Sequence, residues 1–488
     1  MTQKIKSILE KYPEYNATIG IEIHVQLKTK SKIFCPCPNN FGDAPNTNIC
    51  PICTGYPGTL PSLNKKVVDF AIILGIATNS QIKQISKFAR KHYMYPDLPK
   101  NYQITQGSAP ICKEGFITID LPTEKEKNIR LTRIHIEEDA GKNIHNSKIN
   151  KSLVDLNRAG TPLLEIVSYP DISSSYEAKS YLTNLKLIIQ YLNISSADME
   201  KGSFRADINI SVKKKNNEQL GTRVELKNMN SFKFITQAID YEIERQIELL
   251  KINKEVKQES RQWNTKTQKT VFMRSKSDSQ DYRYLREPDL PLIIIDEQWR
   301  NNLKKTLPEL PREKFKRFKQ KYNLSSYESE ILISNIDIAI FFEKVIKICN
   351  EPKHTCNWIL RNVLAFLNEN KISIQQSKIN SQNFAELIKE ISSGTINSKI
   401  AQEVFTELAT TGKSPRKIID EKDLKQINSI DELKKIIIQI IQKNPDQLQK
   451  YLNGKENLFK FFVGQVMKET KGKANPKIIQ DLLKKYLK

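Results

Sequence analysis

The chain has 488 residues, 39% hydrophobic and 27% charged, which excludes wholesale disorder and implies two to four domains at roughly 100–200 residues each. Its 78 Lys and Arg against 55 Asp and Glu leave a charge of +23, pointing to a polyanionic partner, with general solubility as the plain alternative. No run of about 18 uncharged apolar residues is present, so no membrane-spanning helix is expected.

The opening MTQKIKSILEKYPEYN has no apolar signal region, and Glu10 and Glu14 sit badly with a transit peptide, so a cytoplasmic location is expected. The run Ile19 to Leu27 then alternates strictly. Ile19, Ile21, Ile23, Val25 and Leu27 take one face of a strand, and Glu22, His24 and Gln26 the other. Cys35-Pro-Cys37 is followed after twelve residues by Cys50-Pro-Ile-Cys53, a spacing suited to four thiolates around a structural Zn²⁺; disulfides or free thiols are the alternatives. Cys112, Cys349 and Cys356 sit alone among apolar neighbours and read as core residues.

Asn64 can cap a helix through Val67, Phe70, Ile73 and Leu74. The run Leu131 to Glu137 aligns Arg133, His135 and Glu137 on one strand face. Phe204 to Val212 aligns Arg205, Asp207, Asn209 and Ser211, and Thr222 to Lys227 aligns Arg223, Glu225 and Lys227. Phe232 to Leu250 spaces Ile235, Ile239, Ile243 and Ile247 as one helical stripe. From Thr306, Pro308 and Pro311 interrupt regular structure, and beyond Phe315 the pattern is helical, with a further break at Ser392-Ser393-Gly394. The expected class is α+β: an N-terminal domain built on an antiparallel sheet, an all-helical domain and a helical C-terminal tail.

If the four charged strands share a sheet, one face gathers Glu22, His24, Glu137, Asp207 and Glu225 among Arg and Lys. Clustered carboxylates repel unless a cation or basic groups neutralise them, and oxygen ligands with one imidazole suit Mg²⁺ or Mn²⁺. Phosphoryl transfer is the chemistry such a site suggests, without a P-loop or kinase motif set. The alternative is the ordinary solvated face of an antiparallel sheet.

The segments GIEIHVQLKTKSKIFC, KFARKHYMYPDLPKNYQITQ, RIHIEEDAGK, VDLNRAGTPLLEIVSYPD, GSFRADINISV, VELKNMNSF and VGQVMKETKGKANP together resemble the aspartyl/glutamyl-tRNA amidotransferase B-subunit family, over nearly the whole chain and in the expected order. The resemblance implies a catalytic cradle domain with the zinc loop over 1–300, a helical linker domain over 301–400 and a tRNA-binding helical tail over 401–488. It implies an ATP-dependent, glutamine-hydrolysing ligase. The side-chain carboxylate of a misacylated Glu-tRNA or Asp-tRNA is phosphorylated, and ammonia displaces phosphate. The ammonia comes from a separate glutaminase (amidase) subunit, with a small third subunit completing a heterotrimer. A non-catalytic tRNA-binding scaffold is the competing reading.

The family's metal ligands fall on Glu22, His24 and Glu137, which the resemblance makes Mg²⁺ ligands. Asp207 and Glu225 are expected on a second cation or the nucleotide. Arg205, Lys227 and Arg274 are candidates for phosphate contact, with surface cations as the alternative, and His135 and Asp139 for orienting the ligands. Two departures from the family pattern stand out: Lys201 and Ala206 in MEKGSFRAD, and Leu285 and Arg286 in DYRYLREPD. From Lys471 to Lys488, six lysines against one aspartate suit backbone phosphates of tRNA.

Overall fold

The computed structural model describes residues 7–123, 125–146, 150–275, 282–424, 427, 429–470 and 473–487. Asp281 of the DYRY segment and Lys471, Gly472 and Lys488 of the basic tail lie outside them. The chain divides into two compact units, Met1–Pro311 and Arg312–Lys488.

The first unit is built on a 13-stranded sheet. Ten of its strands form a continuous path: β1 (Tyr15–Gln26), β2 (Ala89–His92), β3 (Tyr102–Thr105), β4 (Glu126–Glu138), β5 (Pro162–Ser168), β6 (Phe204–Lys214), β7 (Val224–Lys227), β8 (Glu259–Asn264), β9 (Lys269–Ser275) and β10 (Tyr284–Arg286). Their spatial order is β9-β8-β7-β6-β1-β5-β4-β3-β2-β10. Pairing is antiparallel along this path except for one parallel step between β7 and β8, so the sheet is mainly antiparallel, as expected. The four charged runs do share this sheet, as β1, β4, β6 and β7. The last begins at Val224, leaving Arg223 before the strand.

Period-two alternation sends one set of side chains inward. Ile19, Ile21, Ile23, Val25, Ile134, Ile136, Ile208, Ile210, Val224 and Leu226 are buried in one apolar core. That face is covered by helices α1 (Lys65–Ala77), α2 (Ser175–Tyr191) and α3 (Phe232–Lys251). Asn64, Ser174 and Ser231 cap them by accepting hydrogen bonds from the backbone N–H groups of Lys66, Glu177 and Phe234. The stripe on α3 buries Ile235, Ile239, Ile243 and Ile247, as its spacing requires. The helix α2 was not expected from the sequence, although Ser174 and Glu177 form its start signal.

The described elements of the second unit are helical. Its apolar residues form two clusters, one from Phe318 to Ile419 and one from Leu433 to Leu487. One long helical stretch, Pro352–Asn370, contains a π-helical turn at Ile359–Val363, next to Trp358, which packs on Phe405. Among the described residues no helix is long and apolar enough to cross a membrane.

Gly75, within α1, is set by packing. A Cβ there would meet Cys112 Sγ at 2.5 Å, and Cys112 is fully buried. Alanine is the better helix former by about 1 kcal/mol, but overpacking costs about 1–3 kcal/mol. Gly75→Ala is therefore expected to lower Tm, and adding Cys112→Ala to recover most of the loss; a higher Tm for the single variant contradicts the packing account.

Candidate active site

The face of the sheet opposite the helices carries the charged residues, and strand register decides which of them meet. Arg205 of β6, His24 of β1, Glu165 of β5 and His135 of β4 stand opposite one another in a single row. In the next row Asp207 faces Glu22, and on the other side Glu137 of β4 lies across from Leu163 and from Thr105 of β3. Rigid neighbouring strands thus hold groups more than a hundred residues apart in sequence.

His24 is the hub. Its Nε2 lies 3.2 Å from Glu137 Oε1, 3.4 Å from Glu165 Oε2 and 3.8 Å from Glu22 Oε1. His135 Nε2 approaches the other Glu137 oxygen at 3.4 Å and Glu165 Oε2 at 3.5 Å. Two overlapping groups have ligand atoms mutually within 4.8 Å: Glu22, His24 and Glu165, and His135, Glu137 and Glu165. Glu22 and Glu137 thus each approach the His24 imidazole but fall in different groups, and the residue common to both groups is Glu165, which the sequence reading missed. The signal for it was a single acid in the apolar run Pro-Leu-Leu-Glu-Ile-Val.

Burial and charge explain the proton positions. Burial works against a charge on His24, but hydrogen bonds to Glu137 and Glu165 hold its pKa well above the usual value. Burial likewise opposes the Glu137 carboxylate, yet His135 and His24 draw it well below the carboxylate range, and Glu165 is lowered by the same two rings. Glu22 goes the other way, raised by burial and then by the nearby Glu165 charge.

The remaining acids are paired. Lys227 Nζ donates to Asp207 and lies 3.3 Å from Glu225, which accepts from Ser260 Oγ at 2.7 Å. Arg205 donates to Asp139 at 2.8 Å, and Asp139 also accepts from Gln26. Asp207, Glu225 and Lys227 thus form a second cluster beside Glu22, and Arg205 is committed to Asp139. Arg274 stands exposed on the outermost strand β9, opposite Ser260, without a contact to these carboxylates among the described residues.

The cysteines form a separate knuckle whose four sulfurs all lie within 4.8 Å of one another. The hydrogen bond from the Cys35 thiol brings Cys53 down to about 4 and pushes Cys35 up. Burial raises Cys37 to about 11. Without metal Cys53 is favoured as the thiolate beside neutral Cys35 and Cys37, and a divalent ion that prefers sulfur would ionise those two as well.

Residues 17–301 match the family profile described as the GatB/GatE catalytic domain, and residues 340–487 that described as the GatB domain. The charged face and the knuckle both fall inside the first match, so the fold that carries them is that of this catalytic-domain class. The chain is 48% identical to the B subunit of the aspartyl/glutamyl-tRNA(Asn/Gln) amidotransferase of Persephonella marina, across 97% of this chain and 100% of the relative. The proteins of that name from Thermodesulfovibrio yellowstonii and Rippkaea orientalis are 46% and 47% identical, over 97% of this chain and 100% and 98% of theirs. The chain belongs to the aspartyl/glutamyl-tRNA(Asn/Gln) amidotransferase B-subunit family.

The His24–Glu137 pair sets a pH signature in chelator-treated protein. A depressed Glu137 adds stability above its unfolded value near 4.5 that is lost as pH falls through its folded pKa. A raised His24 adds stability below its unfolded value near 6.5 that is lost as pH rises through its folded pKa. Both contributions are complete between those two unfolded values. Tm of the chelated protein is expected to fall as pH rises beyond 6.5 toward alkaline values, and His24→Asn to remove that part of the decline; superimposable profiles contradict the pairing.

Proposed function

We propose that the open sheet face is where ATP phosphorylates the side-chain carboxylate of a misacylated Glu-tRNA or Asp-tRNA, and where ammonia then converts it to the amide. The observation that carries this reading is the convergence of Glu22, His24, His135, Glu137 and Glu165 within the region matched as a catalytic domain. A free carboxylate resists ammonia because its oxygen is a poor leaving group. In the first step a carboxylate oxygen attacks the γ-phosphorus and the bond to ADP breaks. In the second, the nitrogen lone pair attacks the acyl carbon, the bond to phosphate breaks and the nitrogen sheds a proton to the departing phosphate.

The oxygen-rich donor set with an imidazole fits a hard divalent ion. Glu22, His24 and Glu137, joined by Glu165, would hold Mg²⁺. When bound, that ion would supply the positive charge that offsets the repulsion between phosphate and substrate carboxylate oxygens. Asp207 and Glu225 serve the nucleotide side, with Lys227 between them as the phosphate-facing cation. Arg205 and Asp139 fix the row containing His24, and His135 orients Glu137 and Glu165. Arg274, exposed at the sheet edge, is left for the outer phosphates or the tRNA backbone.

Around this centre, the chain works as the amidating member of the complex, supplied with ammonia by the glutaminase (amidase) partner and joined by the small third partner. Beyond the helical linker over 301–400, the tail over 401–488 carries the tRNA through its lysines. The four cysteines hold a structural Zn²⁺, and the complex operates in the cytoplasm.

The test uses the assembled complex with Glu-tRNA, ATP, Mg²⁺ and glutamine. Glu165→Gln is expected to lower amidation by about 100-fold or more while leaving tRNA affinity unchanged. Full activity in that variant removes the site as described and favours a tRNA-binding scaffold.

A further inference from the structure

Lys32 is fully buried, one of the largest side chains in the molecule to be so. Its ammonium lies 3.6 Å from Cys53 Sγ and 3.3 Å from the Leu156 carbonyl oxygen. Among the described residues no carboxylate is ion-paired with it. An ammonium taken out of water costs several kcal/mol unless an anion or a full set of acceptors compensates it. The candidate anion beside it is the sulfur cluster.

The reverse holds for the cysteines. Four thiolates around a divalent ion carry a net charge of −2, and three of the four cysteines are buried. Donation from an ammonium to one of those sulfurs halves the charge the interior must bear. The backbone secures the arrangement, since Lys32 N–H donates to Cys37 carbonyl oxygen at 3.0 Å and Ile33 N–H to Gly160 carbonyl oxygen at 3.0 Å.

Lys32 also stands where the knuckle meets the segment that closes the active-site strand. Leu156 N–H donates to Asn46 Oδ1, and Asn48 N–H to Asn157 Oδ1. Two residues on, Arg158 donates to the Ala140 and Gly141 carbonyls, and Gly160 N–H donates to the Asp139 carbonyl oxygen just past the end of β4.

We propose that Lys32 is the counter-charge of the four-cysteine metal centre, a positioning residue whose ammonium donates to the Cys53 sulfur and joins the loaded centre to the segment bracing the end of β4. This rests on the zinc reading of the cysteines and is independent of the amidation chemistry.

The test uses the full chain in its complex, with Lys32→Met, which removes the charge at similar length, and Lys32→Gln, which keeps a donor. Both are expected to bind zinc but to surrender it to a chromophoric chelator with about tenfold or more weaker affinity than wild type. With Co²⁺ in place of zinc, loss of the hydrogen bond is expected to shift the sulfur-to-metal charge-transfer band to lower energy. A lysine that merely fills space and caps Leu156 leaves zinc affinity and the band at their wild-type values, which overturns the inference. Amine labelling of wild type needs no variant: Lys32 is expected to be protected with zinc bound and modified after chelation, and equal protection in both states also overturns it. Wild type that holds no zinc removes the zinc reading itself, an outcome distinct from zinc-loaded wild type with indifferent variants.

Discussion

Carboxylates cannot be gathered in a half-dry site without positive charge between them, and that constraint organises the face of the sheet. Glu137 and Glu165 remain anionic because two imidazoles stand against them, while Glu22, farther from a cation, is pushed toward its neutral form. The outer acids are treated alike, with Lys227 between Asp207 and Glu225 and Arg205 on Asp139, while Arg133 adds a further cation to Glu165. What remains open at the centre is the place where the neutralising charge is the proton on His24. In the proposed reaction a divalent cation would take the place of that proton, bringing a larger charge to the same carboxylates.

The sheet makes this possible at low cost in precision. Side chains on adjacent strands meet at fixed spacing, and the apolar half of each strand locks the register by filling the core beneath α1, α2 and α3. A slip of one residue in β1 would bury Glu22 and His24 and expose Ile21 and Ile23. The same interactions that stabilise the fold therefore aim the site, and sites built on strands are held more closely than sites on loops.

The parts legible in the sequence were those with a local period. Glu22 and His24 could be placed on one face because β1 is half-buried and alternates, and the four cysteines could be grouped because their spacing is short. Glu165 could not, because apart from it β5 is apolar on both faces from Pro162 to Val167 and offers no alternation to read. The strand order was likewise hidden: nothing local says that β5 lies between β1 and β4, which is what brings Glu165 to both His24 and His135. Lys32 was invisible for a related reason, since its partners Cys53 and Leu156 lie 21 and 124 residues away. Arg274 entered through family resemblance alone, and its exposed position on β9 shows how little a motif says about distance.

The central claim, that strand register lets an imidazole and carboxylates share one cation, is tested most directly by pulsed EPR of the Mn²⁺-loaded protein. A ¹⁴N modulation from a directly bound imidazole is predicted, disappearing in His24→Ala. Manganese bound without nitrogen coupling, or coupling that survives loss of His24, would contradict it.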